Sequence, residues 1–296
     1  MSEPFTLSAA TLATLACSLE VSAPKPGNVH RSADFEDSIF QDFITSAIIL
    51  GQTIENQSDS DLGTTILSAV LANQKWVGTN TNLGMILLIV PLSKIATKSS
   101  SELNSVQIRE YLQSLGPHHG AKVFEAIRIA NPAGLGKTNE LDVNSTRNQV
   151  DLIEAMNLAA DKDMVAQQYV TGFKEVIDHV VPALIQGQQI FHELPHAIVF
   201  AHLVTMSKFP DSLIQRKCGI ETARQSQWMA QKAIDGILNE DIVANESMVE
   251  YWNAVTDLDF WLRSDGHKRN PGTSADLIAA GLFIAIWNQI LTPPFR

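Results

Sequence analysis

Arg269-Asn270-Pro271-Gly272-Thr273-Ser274-Ala275-Asp276, running at once into Leu277-Ile278-Ala279-Ala280, decides how this chain is to be read. A Pro-Gly turn opens straight into an apolar helix. Such a junction presents free backbone N–H groups and the positive end of a helix dipole, a natural seat for phosphate. Two further loops share its character: Ala23-Pro24-Lys25-Pro26-Gly27-Asn28 and Gly78-Thr79-Asn80-Thr81-Asn82-Leu83-Gly84. Together they point to a helical enzyme acting on small phosphate or nucleotide compounds.

Outward from that stretch, the dominant period is helical. Leu12, Leu15, Ala16 and Leu19 fall at helix spacing, as do Ile44, Ala47, Ile48 and Gly51, and Val165, Tyr169 and Phe173. No alternating strand, hairpin dipeptide or βαβ repeat interrupts them. The pattern predicts about ten to a dozen helices. No linker is rich enough in Pro, Gly or Ser to divide the chain, so the expectation is one compact all-α domain over 1–296 with a central nucleotide-binding cleft.

Composition narrows the function. The 296 residues are 45% hydrophobic and 18% charged, ordinary for a globular protein. The net charge of -11 argues against a broad nucleic-acid surface, so a phosphate site has to be local. Cys17 and Cys218, the two cysteines, fit a reduced compartment and read as small core thiols. No Lys or Arg precedes Lys25, and the longest apolar run, Leu83 to Leu92, is too short to span a bilayer. The expectation is a cytoplasmic protein with small-molecule partners and neither membrane nor nucleic acid among them. Oligomeric state is not legible.

Two motifs are weaker than they look. His192-Glu193-Leu194-Pro195-His196, with His202 beyond, matches a zinc-protease pattern, but Pro195 interrupts the helix that pattern needs. Pro195 instead suits a helix start, with the helix running to about Ser207. Asn131-Pro132-Ala133-Gly134-Leu135-Gly136-Lys137-Thr138 resembles a P-loop, but Asn131 replaces its first glycine and the preceding Ala121–Ala130 reads as helix.

Four segments together resemble the triphosphoribosyl-dephospho-CoA synthase family: Glu20-Val21-Ser22-Ala23-Pro24-Lys25-Pro26-Gly27-Asn28-Val29, Asn80-Thr81-Asn82-Leu83-Gly84, Phe209-Pro210-Asp211-Ser212-Leu213-Ile214-Gln215-Arg216-Lys217, and Asn270-Pro271-Gly272-Thr273-Ser274-Ala275-Asp276. They reach from the first helix to the last. The chain departs from the family's asparagine-threonine-histidine-lysine-glycine motif: Asn82 stands for the histidine and Leu83 for the lysine. It therefore resembles a divergent branch, similar to members found beside tetrahydromethanopterin genes.

The resemblance implies an all-α fold and a transferase that uses ATP as a sugar donor. The 2′-hydroxyl of dephospho-CoA displaces adenine from the ribose, and the triphosphate travels with the sugar. Its alternatives are a nucleotide-dependent transferase of one-carbon cofactor biosynthesis, or a non-catalytic helical binding protein whose three Pro/Gly loops would lie far apart. An oxocarbenium-like transition state needs a carboxylate, a donor to the departing base and a clamp on the triphosphate, for which Mg²⁺ is suited.

Candidates follow from local grammar. Lys25, Gly27 and Asn28 form a stiff turn offering a phosphate and a ribose contact. Asn80 and Asn82 precede an apolar helix; one caps it and the other is left for substrate. Asp163 and Gln167 share a helix face with apolar neighbours, so Asp163 wants a cation or metal. Asp211 caps a helix ending in Arg216-Lys217, and all three are candidates to bracket a charged substrate. Asp34 reads as a cap for a helix over Glu36–Leu50. Thr273 and Asp276 form a variant capping box, and Asn270 and Gly272 line the turn before it. The expected catalytic carboxylates are thus Asp163, Asp211 and Asp276, with Asp163 and Asp276 the metal ligands.

Overall fold

The computed structural model describes residues 7–99, 101–132, 151–238 and 245–296. Among them are fourteen α-helices and no strand, two isolated bridges apart. The helices are α1 Ala9–Ser22, α2 Phe40–Asn56, α3 Leu62–Trp76, α4 Leu83–Lys98, α5 Ser105–Gln113, α6 Pro117–Ala130 and α7 Leu152–Ala159. They continue with α8 Met164–Thr171, α9 Val181–Phe191, α10 Leu194–Lys208, α11 Ser212–Cys218, α12 Ile220–Leu238, α13 Asn245–Arg263 and α14 Gly272–Trp287. A π-helical turn, Val176–Val180, leads into α9. The expected count falls short because the short α7, α8 and α11 span only two turns each, too few for a periodic signal.

The starts obey local chemistry. Ser8, Asp61, Asn104, Asp151, Asp163 and Asp211 each accept a backbone N–H of the helix that follows. Prolines open α6, α9 and α10, where a missing N–H costs nothing. Pro195 lies in the first turn of a helix running to Lys208, as expected of it. Its zinc-pattern neighbours go separate ways: His192 ends α9 in the left-handed region and His202 is fully buried. Of the P-loop-like stretch, residues 133–138, including Lys137, lie outside the described residues, while helix α6 does precede it.

Three helices are apolar nearly all round and form the middle of the molecule. They are α4, buried from Met85 to Ala96; α10, buried from Ala197 to Met206; and α14, buried from Leu277 to Ala285. Helix α14 packs against α1, α4, α8, α9, α10 and α11. Its N-terminal turn, Gly272 to Ala275, is tied to the start of α11 through Ser212 and Asp211. Cys17 is buried as expected, but Cys218 is half exposed at the end of α11, and both are free.

Candidate active site

The three Pro/Gly loops converge. A cavity of about 610 Å³ is lined by Asn28 from the first, by Asn80, Thr81, Asn82 and Gly84 from the second, and by Asn270, Gly272 and Thr273 from the third. Asp163, Arg216, Lys217 and Asp276 complete its polar side. Leu83, Leu87, Phe124, Met156, Val165 and Leu213 supply apolar wall. Volume and lining suit a nucleotide-sized ligand. This convergence is what a scaffold with separated loops would lack.

Helix starts aim at the cavity. Residues Leu83 and Gly84 of α4 line it, and so do Gly272 and Thr273 of α14. Neither helix has its N-cap residue's side chain bonded to its N–H groups. At α4, Asn80 rather than Asn82 reaches the helix, accepting from Leu83 N at 3.2 Å. Asn82 donates weakly to Ser46 O, and its Oδ1 is buried without a partner. One amide caps the helix, and the other keeps an unpartnered oxygen.

Asp276 is the open carboxyl of the site. It lines the cavity, and no hydrogen bond or ion pair among the described residues reaches it. Burial raises its pKa well above the carboxylate range, and the charges of Glu20, Asp211 and Asp163 push the same way. The expected capping box does not form. Helix α14 starts at Gly272, one residue before Thr273, so Asp276 lies beyond the first-turn position a box requires. Thr273 Oγ1 instead accepts from Ser212 Oγ at 3.0 Å.

Asp211 takes over the capping. Its Oδ1 accepts from Leu213 N and Ile214 N of its own helix, and its Oδ2 from Ser274 N at 2.7 Å and Ser274 Oγ at 2.8 Å. One carboxylate thus ties the starts of α11 and α14 together. It is 2% exposed and does not line the cavity, which corrects its expected catalytic place. Burial raises its pKa, against the lowering effect of those hydrogen bonds.

Asp163 finds the cation it needed. Its Oδ1 caps α8 and its Oδ2 pairs with Arg216 Nη1. With both oxygens engaged, it orients Arg216 rather than standing open for a metal. Arg216 Nε remains buried and unpartnered. Lys217 Nζ donates to His267 O at 3.0 Å, and burial lowers its pKa. Gln167 turns away from the cavity and donates to Glu175 at 3.0 Å.

Lys25 is the clearest correction. It is fully buried, 2.9 Å from Glu20 Oε1, and donates also to the Glu20 and Ala23 carbonyls. A side chain so enclosed cannot reach phosphate. Gly27 is likewise structural. Its φ of +74° and the crowding of Leu262 and Pro271, 2.7 and 2.8 Å from where a Cβ would stand, exclude any side chain. Asp34 does accept from Phe40 N at 2.7 Å, although α2 begins at Phe40 rather than at Glu36.

Glu20, Gly84 and His267, none of them a candidate from the sequence, also line the cavity. Burial raises the Glu20 pKa, with Lys25 opposing. Glu20 opens the family-like segment that runs to Val29, but nothing local separates it from a surface acid of α1. His267 lies in a turn whose only signal is its position three residues before Asn270.

Comparison with known proteins agrees with this picture. A family model described as ATP:dephospho-CoA triphosphoribosyl transferase matches residues 6–293. A crystal structure of an Archaeoglobus fulgidus protein, provisionally named triphosphoribosyl-dephospho-CoA synthase, superposes with a TM-score of 0.61. That match has 24% identity and covers 83% of this chain and 98% of the other, a likeness of fold. No curated protein matches the sequence significantly.

Proposed function

The chain belongs to the ATP:dephospho-CoA triphosphoribosyl transferase family, and on that premise we propose that the cavity between α4, α8, α11 and α14 is where triphosphoribosyl leaves ATP for dephospho-CoA with release of adenine. The observation that carries this reading is the set of unsatisfied groups around the cavity. Asn28 Oδ1, Asn82 Oδ1 and Arg216 Nε are buried without partners, and Asp276 is unpaired beside them. Buried polar atoms are normally satisfied, so three orphans around one cavity call for a polar ligand.

Roles follow from charge. The triphosphate goes to Arg216, Lys217 and the starts of α4 and α14. Asp276 steadies positive charge at the anomeric carbon as the bond to adenine breaks, then takes the proton of the attacking hydroxyl as the new C–O bond forms and passes it on to the departed base; its raised pKa suits both halves of that transfer. Asn80, Asn82, Asn28 and Asn270 hold sugar and base. The donor set accommodates Mg²⁺ only together with substrate: among the candidate carboxylates Asp276 alone is open, so phosphate oxygens and water would complete the shell. The ion would neutralise triphosphate charge. Among the described residues, the one cluster of three or more groups suited to a metal, Asp61, His118 and His119, is not part of the cavity.

Substrates of this kind suit a cytoplasmic setting; among the described residues, no single helix is long and apolar enough to cross a membrane. The test is incubation with ATP, Mg²⁺ and dephospho-CoA, with adenine followed by chromatography. Adenine appearing only when the acceptor is present supports the reading. Acceptor-independent formation of ADP, or no consumption of ATP, would overturn it.

A further inference from the structure

A chain of hydrogen bonds enters the cavity from the surface. Asp37 Oδ1 lies 2.7 Å from His267 Nδ1, and His267 Nε2 lies 2.6 Å from Asn270 Nδ2. Asn270 Oδ1 accepts from Asn28 Nδ2 at 2.8 Å. Asn28 Oδ1 is buried and accepts from nothing. Three of these residues, Asn28, His267 and Asn270, line the cavity, and Asp37 stands outside it. Phe35 stacks on the imidazole at 4.3 Å between centroids, which fixes the ring plane.

The direction of every bond is forced. An ionised carboxylate only accepts, so Nδ1 of His267 carries the proton. In the neutral ring Nε2 then accepts, and Asn270 must offer it an NH₂. That turns the Asn270 oxygen toward Asn28, which must answer with its own NH₂. What remains at the cavity end is a carbonyl oxygen. Burial, together with the Lys217 ammonium, keeps His267 below its ordinary pKa against the pull of Asp37, so the neutral ring prevails.

An amide oxygen is repelled by phosphate and attracts an N–H or O–H. Resting on the nucleotide reading above, we infer that Asp37 and His267 are positioning residues that hold the Asn28 oxygen as an acceptor-only contact for one donor of the bound nucleotide, a ribose hydroxyl or the adenine amino group. The contact fixes one point of the nucleotide at Asn28, leaving its phosphates to the cationic groups of the cavity.

Calorimetric binding of ATP, 2′-deoxy-ATP, 3′-deoxy-ATP and purine riboside triphosphate, which lacks the 6-amino group, tests this without turnover. The wild-type protein is expected to bind one analogue about tenfold more weakly than ATP. Asn28→Ala is expected to lose that discrimination. His267→Ala loses it too, whereas His267→Gln restores it, because its amide oxygen can accept from Asn270 where Nε2 did. Equal binding of all four nucleotides by the wild-type protein, a measurement that needs no variant, overturns the inference and leaves the nucleotide site standing. Discrimination that survives in Asn28→Ala also overturns it, and survival in His267→Ala overturns the positioning role. Failure of the wild-type protein to bind ATP overturns the nucleotide reading and this inference with it.

Discussion

A Cβ at Gly84 would stand 2.0 Å from Oδ2 of Asp276. The start of α4 and the carboxyl of α14 meet there with no room for a methyl group. Gly84→Ala removes the least favourable ordinary helix former from the first turn of α4 and pushes Asp276 aside. The expected outcome is a melting temperature within a few degrees of wild type and transferase activity reduced at least about tenfold. A variant with full activity would separate Asp276 from the reaction.

Asp276→Asn is expected to make the protein more stable and nearly inactive. The folded pKa of Asp276 lies above its unfolded value, so the ionised carboxylate costs stability once the pH exceeds the unfolded pKa. The neutral amide escapes that cost at pH 7, and the gain over wild type shrinks as the pH falls and the wild-type carboxyl takes up its proton. Turnover should drop by about a hundredfold or more with loss of the base. Paired melting curves at pH 7 and pH 5, with adenine release alongside, check both halves.

Asp211→Ala is the mirror case. It removes the cap of α11 and leaves the Ser274 N–H and hydroxyl without their acceptor. The cap accounts for about 1 kcal/mol and the stranded buried donor for about 1–3 kcal/mol more. Denaturant unfolding should register that loss. Turnover at a temperature where the variant remains folded should fall far less than in Asp276→Asn.

Lys25→Met should destabilise the fold by about 3–5 kcal/mol, since Glu20 is left buried without its counter-charge. Adding Glu20→Gln to it should recover most of that stability. A double-mutant cycle by urea unfolding measures the coupling. If Lys25→Met folds normally and merely raises the KM for ATP, the lysine is a phosphate ligand after all.

The two aspartates explain how far the sequence could be read. Asp211 and Asp276 both stand near a helix start followed by apolar residues, and both look like caps. Local grammar identifies Asp211 as the cap of α11 correctly. It cannot reveal that Asp211 also caps α14, because Ser274 is 63 residues away. Because α14 starts at Gly272, Asp276 falls beyond the capping position and is left open to the cavity. Lys25 fails in the same way: its turn is legible, but its inward direction depends on Glu20 at the end of α1 and on the burial around it.

Periodicity, capping residues and proline positions determined an all-α chain, the starts of most of its helices and the polarity of its three Pro/Gly loops, because those features arise from contacts within a few residues. Packing alone decided which charges are spent on one another and which stay open. Pairing depends on distances between remote elements, as in Asp163 with Arg216 and Asp37 with His267, and the free energy of a buried charge is set by whatever the fold brings beside it.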